Sequence, residues 1–330
     1  MNPCPESPCV PVAVVIVAYN NDEEVQSCLQ SLSKMTTRPV CIAVVDNSDA
    51  DTLLFEKLNA LYELHALDHQ DKIPIKKSTS ILYNRRRANE GFASANNFAM
   101  TKLAHRSDIE YFWLLNPDTV VTPDALRALI QTAQQNDNIG VTGSTLVRMD
   151  KPSCLQAAAG ASFNRCLGTT SSLLAGVHLQ SIQQGAAAAI DNKLDYITGA
   201  SMLVRKNICA TVGLMDERFF LYLEDTEWCI RMRKHGYTLA WATESLVYHK
   251  DGGSSHPAYA DYLSLRNRLL ILRIHYPQYM AIAALSYGLV MLRRILRGQA
   301  KRISLVCRAL CDGLRGKNGR PDFLWLQRFA

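Results

Sequence analysis

Seven apolar residues in succession, Val12 to Ala18, end abruptly at the polar run Tyr19-Asn20-Asn21-Asp22. An unbroken, β-branched run predicts a strand covered on both faces, where an alternating one would predict a half-exposed strand. Asn21 or Asp22 then caps a helix with Glu23 and Glu24 in its first turn and Val25, Cys28, Leu29 and Leu32 along one side. Val40 to Val45 is a second buried strand ending at Asp46-Asn47-Ser48, followed by a helix carrying Leu53, Leu54, Leu58 and Leu61. Ile81 to Tyr83 predicts a third strand, Phe92 to Leu103 a helix after the turn Asn89-Glu90-Gly91, and Tyr111 to Leu115 a fourth strand. Strand and helix alternating at this spacing predict the α/β class, with a doubly wound, mostly parallel sheet.

The fourth strand runs into Asn116-Pro117-Asp118. Proline supplies no ladder N–H, so the strand stops there. The next carboxylate then sits at the strand's carboxyl end, where open α/β sheets hold their ligands. Asp118 could hold a divalent cation against a diphosphate, or cap the following helix. Thr122-Pro123-Asp124 already reads as N-cap, first-turn proline and first-turn acid for a helix to about Gln135, which leaves Asp118 spare. The Ala-, Gly-, Ser- and Gln-rich stretch from Lys151 to Ala189 predicts short strands and loops, with a mobile section near Ser181 to Ala189. Tyr196 to Val204 reads as an apolar strand in which Gly199 marks close approach by a ligand or another backbone.

Further on, an apolar run from Phe219 to Leu223 meets Glu224-Asp225-Thr226-Glu227, at the start of a helix that stops at Gly236. Three acids so close together are either a solvated first turn or a group facing a cation. His249 closes the strand Leu246-Val247-Tyr248, as a structural side chain or as a ligand, and precedes Asp251-Gly252-Gly253-Ser254. After Arg268 the pattern is helical, with a break at Pro277, then Tyr279 to Arg297 and Ile303 to Leu314. The apolar run Tyr279 to Leu292 is expected to be too short, and too closely followed by arginines, to span a bilayer. Ile303, Val306, Leu310 and Leu314 share one side at helical spacing, while Lys301, Arg302, Arg308 and Arg315 stay polar. Such a helix either lies on an anionic membrane surface or packs on the preceding domain.

Composition narrows the choices. With 330 residues, 48% hydrophobic and 20% charged, the chain can form one large α/β domain plus an extension. The net charge of +6 is a property of the tail: nine Lys and Arg lie between Arg293 and Arg320, against Asp312 alone. No aromatic-basic interleaving points to nucleic acid, and none is expected as a partner. Ten cysteines without a CxxC pair read as small apolar fillers in a reducing compartment, not as a zinc or disulfide framework. Val10 to Ala18 lacks a basic n-region, so it reads as a core strand and not as a secretory signal. Neither GxGxxG nor GxxxxGK[ST] is present, so the phosphates of a nucleotide would need another source of positive charge, which a metal at Asp118 would supply.

Taken in order, several segments resemble the inverting GT-A glycosyltransferases of family 2, particularly the rhamnosyltransferase-like branch. They are Val17-Ala18-Tyr19-Asn20, Val45-Asp46-Asn47-Ser48, Asn89-Glu90-Gly91-Phe92-Ala93 with Asn96, and Leu115-Asn116-Pro117-Asp118. Thr198-Gly199-Ala200, Phe219 to Asp225, His249 with Gly252-Gly253-Ser254, and Arg266-Asn267 continue the series. Ala18 stands where the family often has threonine, and Asn116 replaces the first acid of its DxD motif, leaving Asp118 as the only carboxylate ligand from that turn.

The resemblance implies a catalytic domain over 1–268, with a nucleotide half at about 10–120 and an acceptor half at about 121–268, and a basic helical extension over 269–330. It implies a nucleotide-sugar donor site at Ala18, Tyr19, Asn20, Asp46, Asn89, Gly91, Asn96, Asn116 and Arg266, with Arg231 as another candidate for phosphate. Asp118 and His249 would ligate Mg²⁺ or Mn²⁺, Asp225 would be the general base, and Glu224 would position or polarise the acceptor. The activity implied is transfer of a sugar, rhamnose from dTDP-rhamnose first, to a glycan or polyprenyl-diphosphate-linked acceptor. That work belongs at the cytoplasmic face of the inner membrane, in cell-surface polysaccharide synthesis of the O-antigen kind. A UDP-hexose or UDP-galactofuranose donor, a nucleotidyltransferase, and a non-catalytic glycan-binding scaffold are the alternatives.

Overall fold

A computed structural model describes residues 8–49, 52–68, 79–183, 185–250 and 256–329. Strands β1 (Cys9–Ala18), β2 (Arg38–Asp46), β3 (Leu64–Ala66), β4 (Ser80–Arg85) and β5 (Tyr111–Leu115) pair in parallel, in the spatial order β3-β4-β2-β1-β5. Between them run α1 (Asp22–Leu32), α2 (Leu54–Asn59) and α3 (Phe92–Leu103). The unbroken apolar run of β1 is explained by its position. Val12, Val14, Ile16 and Ala18 pack toward Val25, Cys28 and Leu29 of α1, whereas Ala13, Val15 and Val17 pack toward the α3 side.

The remaining strands are β6 (Thr119–Val121), β7 (Ile139–Arg148), β8 (Leu155–Ala158), β9 (Gly160–Asn164), β10 (Thr169–Ser172), β11 (Tyr196–Ile197), β12 (Ser201–Arg205) and β13 (Thr238–His249). The large sheet continues β5-β12-β7-β13-β6, with β13 parallel to β7 and with β12 and β6 antiparallel to their neighbours. β8 pairs antiparallel with β7, and β10-β9-β11 form a small separate sheet. Five further helices are α4 (Ala125–Ala133), α5 (Ala186–Asp191), α6 (Ile208–Thr211), α7 (Glu224–Lys234) and α8 (Pro257–His275). Then come α9 (Met280–Leu296), α10 (Ile303–Leu314) and α11 (Phe323–Leu326).

Several expectations change at this level. The Tyr196–Val204 segment is two strands, β11 and β12, because Thr198-Gly199-Ala200 leaves the ladder and faces a cleft. Residues near 186–191 form α5, consistent with the high helix propensity of an alanine run, and Ile190 anchors it in the core. Thr122 caps nothing with its side chain; its hydroxyl donates to Leu246 O, and Asp124 takes the N-cap position while binding the Thr36 hydroxyl. α2 is short, so Leu54 and Leu58 are buried while Leu53 and Leu61 stay exposed.

In the tail, α8 runs unbroken through residue 268. α10 packs along α8 with Leu305, Val306 and Ala309 inward, and Gly313 permits the close approach: a Cβ there would meet Leu269 Cδ1 at 2.8 Å and Arg266 O at 3.2 Å. Of the apolar side expected at Ile303, Val306, Leu310 and Leu314, Val306 is buried, Ile303 and Leu310 are partly so and Leu314 is exposed. Pro277–Leu296 is 20 residues long with a mean hydropathy of 1.4 over an 18-residue window, long and apolar enough to cross a membrane by length and composition, against the sequence expectation.

Candidate active site

The carboxyl ends of β1, β2, β4, β5 and β13 open onto one cleft of about 1150 Å³. α8 and α9 contribute its outer wall through Leu265, Arg268 and Val290, and α11 contributes Phe323. Three groups of side chains inside it carry chemistry.

At the β1–β2–β4 end, polar loops are tied to one another. Asn47 Nδ2 donates to Asn89 Oδ1 at 3.0 Å and to Gly91 O at 3.2 Å, while Asn89 Oδ1 also accepts from Gly91 N. Asp49 collects the Asn89 N–H at 3.0 Å, the Tyr19 hydroxyl at 3.4 Å, and both oxygens receive Arg320 at 3.1 Å. Tyr19, Asn47, Asn89 and Gly91 line the cleft here. Gly91 is at φ +94°, and a Cβ would meet Phe220 O at 2.4 Å, so no other residue fits. Arg320 and Phe323 belong to the distant tail. The sequence held no signal for them, because a single arginine in a basic tail looks like any other.

The second group sits where β5 and β13 end. Asp118 is buried, and its Oδ1 lies 3.3 Å from His249 Nε2; Asn116 Nδ2 is 3.4 Å from the same nitrogen. Gln156 Oε1, from β8, lies 2.7 Å from His249 Nδ1. An amide oxygen only accepts, so Nδ1 carries a proton there, and Nε2 is the nitrogen that faces the carboxylate. A proton or a cation between Nε2 and the Asp118 carboxylate would join the two, with the Asn116 amide alongside. Gln156 was not identifiable from the sequence, since its role depends on β8 folding beside β13.

The third group is Glu224 and Asp225, in the first turn of α7. Asp225 Oδ2 accepts Gly199 N–H at 3.0 Å, and Oδ1 accepts Thr226 N–H at 2.6 Å and the Thr226 hydroxyl at 3.1 Å. Glu224 is buried and its Oε2 has no partner among the described residues. Burial raises both carboxyls above the ordinary range, and the Asp225 charge raises Glu224 further. Asp225, with three donors on its carboxylate, is the one that ionises first. The third acid, Glu227, turns inward instead, bound to Arg231 at 2.8 Å and His275 at 3.0 Å.

The loop that presents this pair is strained. Phe220, Tyr222 and Leu223 all have positive φ, at 64°, 71° and 70°. Phe220, at ψ −60°, sits in a tight three-residue turn closed by Leu221 N–H to Phe219 O at 2.8 Å, a rare and costly form. Asn267 offsets that cost. Fully buried on α8, its Nδ2 donates to the carbonyls of Phe219, Leu221 and Tyr222 at 2.8–2.9 Å. Asn267→Ala should therefore lower stability by about 2–3 kcal/mol and lower kcat more than it raises KM. Denaturant melts and a kcat against KM comparison check this; unchanged stability and kcat would mean that the loop does not depend on Asn267.

Other residues named from the sequence lie elsewhere. Arg266 is buried against Phe219 O, Gly319 O and Asn267, away from the cleft lining, so it braces the fold where phosphate contact was expected. Arg231 is occupied by Glu227 and the Val212 and Leu214 carbonyls. Asp46 is consumed by Ser48 N–H, Thr52 and Tyr83, and Asn47 takes its expected place in the lining. Ala18 is core, Asn20 sits on the outer turn at φ 52°, and Asn96 donates back to Phe92 O within α3. Asn116 lines the cleft beside Asp118. Asp251 and Gly252-Gly253-Ser254 lie outside the described residues.

Residues 8–269 match the family described as Glycosyltransferase like family 2. Among curated proteins, the low-salt glycan biosynthesis hexosyltransferase Agl10 of Haloferax volcanii is 21% identical over 320 residues, covering 94% of this chain and 93% of that one. The dTDP-rhamnosyl transferase RfbF of Shigella flexneri is 23% identical, covering 93% and 97%. An N-acetylglucosaminyl-diphospho-decaprenol L-rhamnosyltransferase of Mycobacterium tuberculosis is 22% identical, over 77% of this chain and 81% of its own length. Among solved structures, S. aureus TarS 1–349 with UDP-GlcNAc superposes with a TM-score of 0.55 at 13% identity, covering 93% and 82%. GalNAc-T7 with UDP, GalNAc and Mn²⁺ gives 0.57 at 13% identity, covering 82% of this chain and 49% of that one. With a family match across most of its length and a mostly parallel α/β sheet shared with GT-A enzymes, the chain belongs to glycosyltransferase-like family 2 and is a glycosyltransferase.

Proposed function

We propose that this protein moves a sugar, with inversion, from a nucleoside-diphosphate donor to a hydroxyl of a glycan or polyprenyl-diphosphate-linked acceptor. L-Rhamnose from dTDP-rhamnose is the donor favoured first, because two of the relatives are named as rhamnosyltransferases. The observation that carries the reading is a single cleft holding both the Asp118–His249 pair and the Glu224–Asp225 pair. In this reading the donor's nucleoside rests against Tyr19, Asn47 and Asn89. Asp225 takes the proton of the acceptor hydroxyl as its oxygen attacks the anomeric carbon. The bond from that carbon to the phosphate oxygen breaks, and the leaving nucleoside diphosphate keeps the electron pair. Glu224, held neutral, hydrogen-bonds the acceptor. Its work would fall at the cytoplasmic face of the inner membrane, in cell-surface polysaccharide synthesis.

The charges of the cleft favour a divalent cation. Asp118 and Asp225 face in as carboxylates, with Glu224 neutral beside them, while lining Lys250 is paired with Glu24 and Arg268 is tied to Leu167 O and Ser286. Asp261, also in the lining, is matched by Arg294 and Arg302. A diphosphate entering such a lining meets uncompensated carboxylate. Asp118 and His249 Nε2 have the donor chemistry to hold Mg²⁺ or Mn²⁺ with ligand oxygens completing the set, and the ion would offset charge on the leaving diphosphate.

A panel of dTDP-rhamnose, UDP-galactose, UDP-galactofuranose and UDP-GlcNAc with Mg²⁺, Mn²⁺ or EDTA tests the proposal, with released nucleoside diphosphate as readout. Metal-dependent turnover preferring dTDP-rhamnose is the expected result. Turnover of a UDP-sugar alone would replace the donor, and no binding of any nucleotide with or without metal would leave a non-catalytic protein.

A further inference from the structure

We infer that α9 is a docking surface for an anionic lipid bilayer, on which the protein lies with the helix flat against the headgroups. α9 is two-faced in an unusual sense, since its outward face is the apolar one. Ile282, Leu285, Leu289, Leu292 and Leu296, spaced three and four apart, form a stripe whose members are 49–80% exposed. A stripe of that size on a folded body marks an interaction site. The opposite side, with Ala283 and Tyr287, is buried against α8, and Arg294 is fixed on that side to Asp261.

Charge selects the occupant. No Asp or Glu occurs between Asp261 and Asp312, a stretch that holds nine Lys and Arg. Arg293, Arg297 and Lys301 are exposed and make no ion pair among the described residues. Arg293 flanks the stripe on α9, and Arg297 and Lys301 follow where the helix ends. Leucines bordered by cations match an acyl boundary beneath anionic headgroups. A second copy of the chain would bring only more cations to the same face. A spanning arrangement fits poorly with packing at both ends, because α8 and α10 hold α9 against the catalytic body. Val290, on a different side of α9, lines the cleft. The same helix therefore sets the distance between the bilayer surface and the cleft wall.

This inference stands apart from the choice of donor and acceptor, and its test needs no turnover. The full-length protein is sedimented with vesicles of phosphatidylcholine alone or with 30% phosphatidylglycerol (about one lipid in three, in the range where surface charge attracts basic segments). Binding to the anionic vesicles only, reduced by high salt, is expected. Leu285→Glu with Leu289→Glu, both on exposed sites, should reduce it at least about tenfold, and Arg293→Glu with Arg297→Glu by a similar factor. Nucleotide binding in solution, measured alongside, should be unchanged in all variants, which separates loss of docking from loss of fold. The inference is overturned if neither vesicle binds, if the variants bind as the wild type does, or if the free protein is a dimer that Leu289→Glu dissociates.

Discussion

Asp225→Asn is expected to lower transfer by about 10³-fold, within the range for loss of a positioned general base, with little change in donor binding. The amide keeps the shape, and its single oxygen can accept from Gly199 N–H or from Thr226 but not from both, so a modest drop in melting temperature should accompany the loss of rate. What is lost is the ability to take a proton. Glu224→Gln is the informative partner. If Asp225 ionises first and Glu224 stays neutral beside it, a neutral glutamine resembles the working state, and activity should remain within about tenfold of wild type. If Glu224 were the base, its unpartnered Oε2 pointing at the acceptor, the ranking of the two variants would reverse. The pH profile gives a second reading. Burial raises Asp225, so the rate should fall with acid at a pH above the ordinary carboxylate range, and this limb should persist in Glu224→Gln. Stability has its own sign. The unfolded chain ionises Glu224 near its ordinary value while the fold keeps it protonated, so native stability from this group is full in acid and is lost as pH rises through the raised folded value. Glu224→Gln should accordingly melt higher than wild type at pH 8.5 and together with it at pH 4.

How much of this was legible beforehand depended on whether a residue's role was local. β1, α3 and β5 could be read directly, since an unbroken apolar run, a glycine turn and a strand-ending proline each act within a few residues. Asp118, Glu224 and Asp225 could be singled out because a carboxylate beside apolar sequence is conspicuous. Residues whose surroundings are set by distant partners were harder to place. Arg266 looked like a phosphate ligand, yet its guanidinium holds Gly319 and Phe219 carbonyls that only the folded tail brings near. Asp46 and Asn47 are adjacent, and nothing in their order says that Tyr83 and Thr52 will claim the acid and leave the amide to the cleft. The tail's hydrophobic pattern predicts an apolar helix from Tyr279 and an amphipathic one from Ile303 without saying how either packs. Which of them would be covered was decided by Gly313, whose missing side chain lets α10 approach α8 and leaves α9 outermost.

Replacing Asp118 should give a result whose sign depends on the metal. With Mn²⁺ present, Asp118→Asn is expected to reduce transfer by about 10²–10³-fold, as loss of a group that offsets charge on the leaving diphosphate does, and to weaken binding of dTDP or UDP in calorimetry. In EDTA the same substitution should leave nucleotide binding equal or tighter, because it removes one negative charge from a lining already dominated by carboxylates. A purely structural Asp118, paired only with His249, would instead weaken binding in both conditions as the β5 and β13 ends loosened. Gln156→Leu refines the argument. It leaves both proposed ligands in place but removes the acceptor that fixes His249 with its proton on Nδ1, and should raise the Mn²⁺ concentration for half-maximal activity by about 10–100-fold. If saturating metal then restores the rate to Gln156→Leu but not to Asp118→Asn, the two side chains act in series, one holding the ion and the other aiming its imidazole partner. If metal concentration changes neither variant, the charge that steadies the diphosphate comes from a different source.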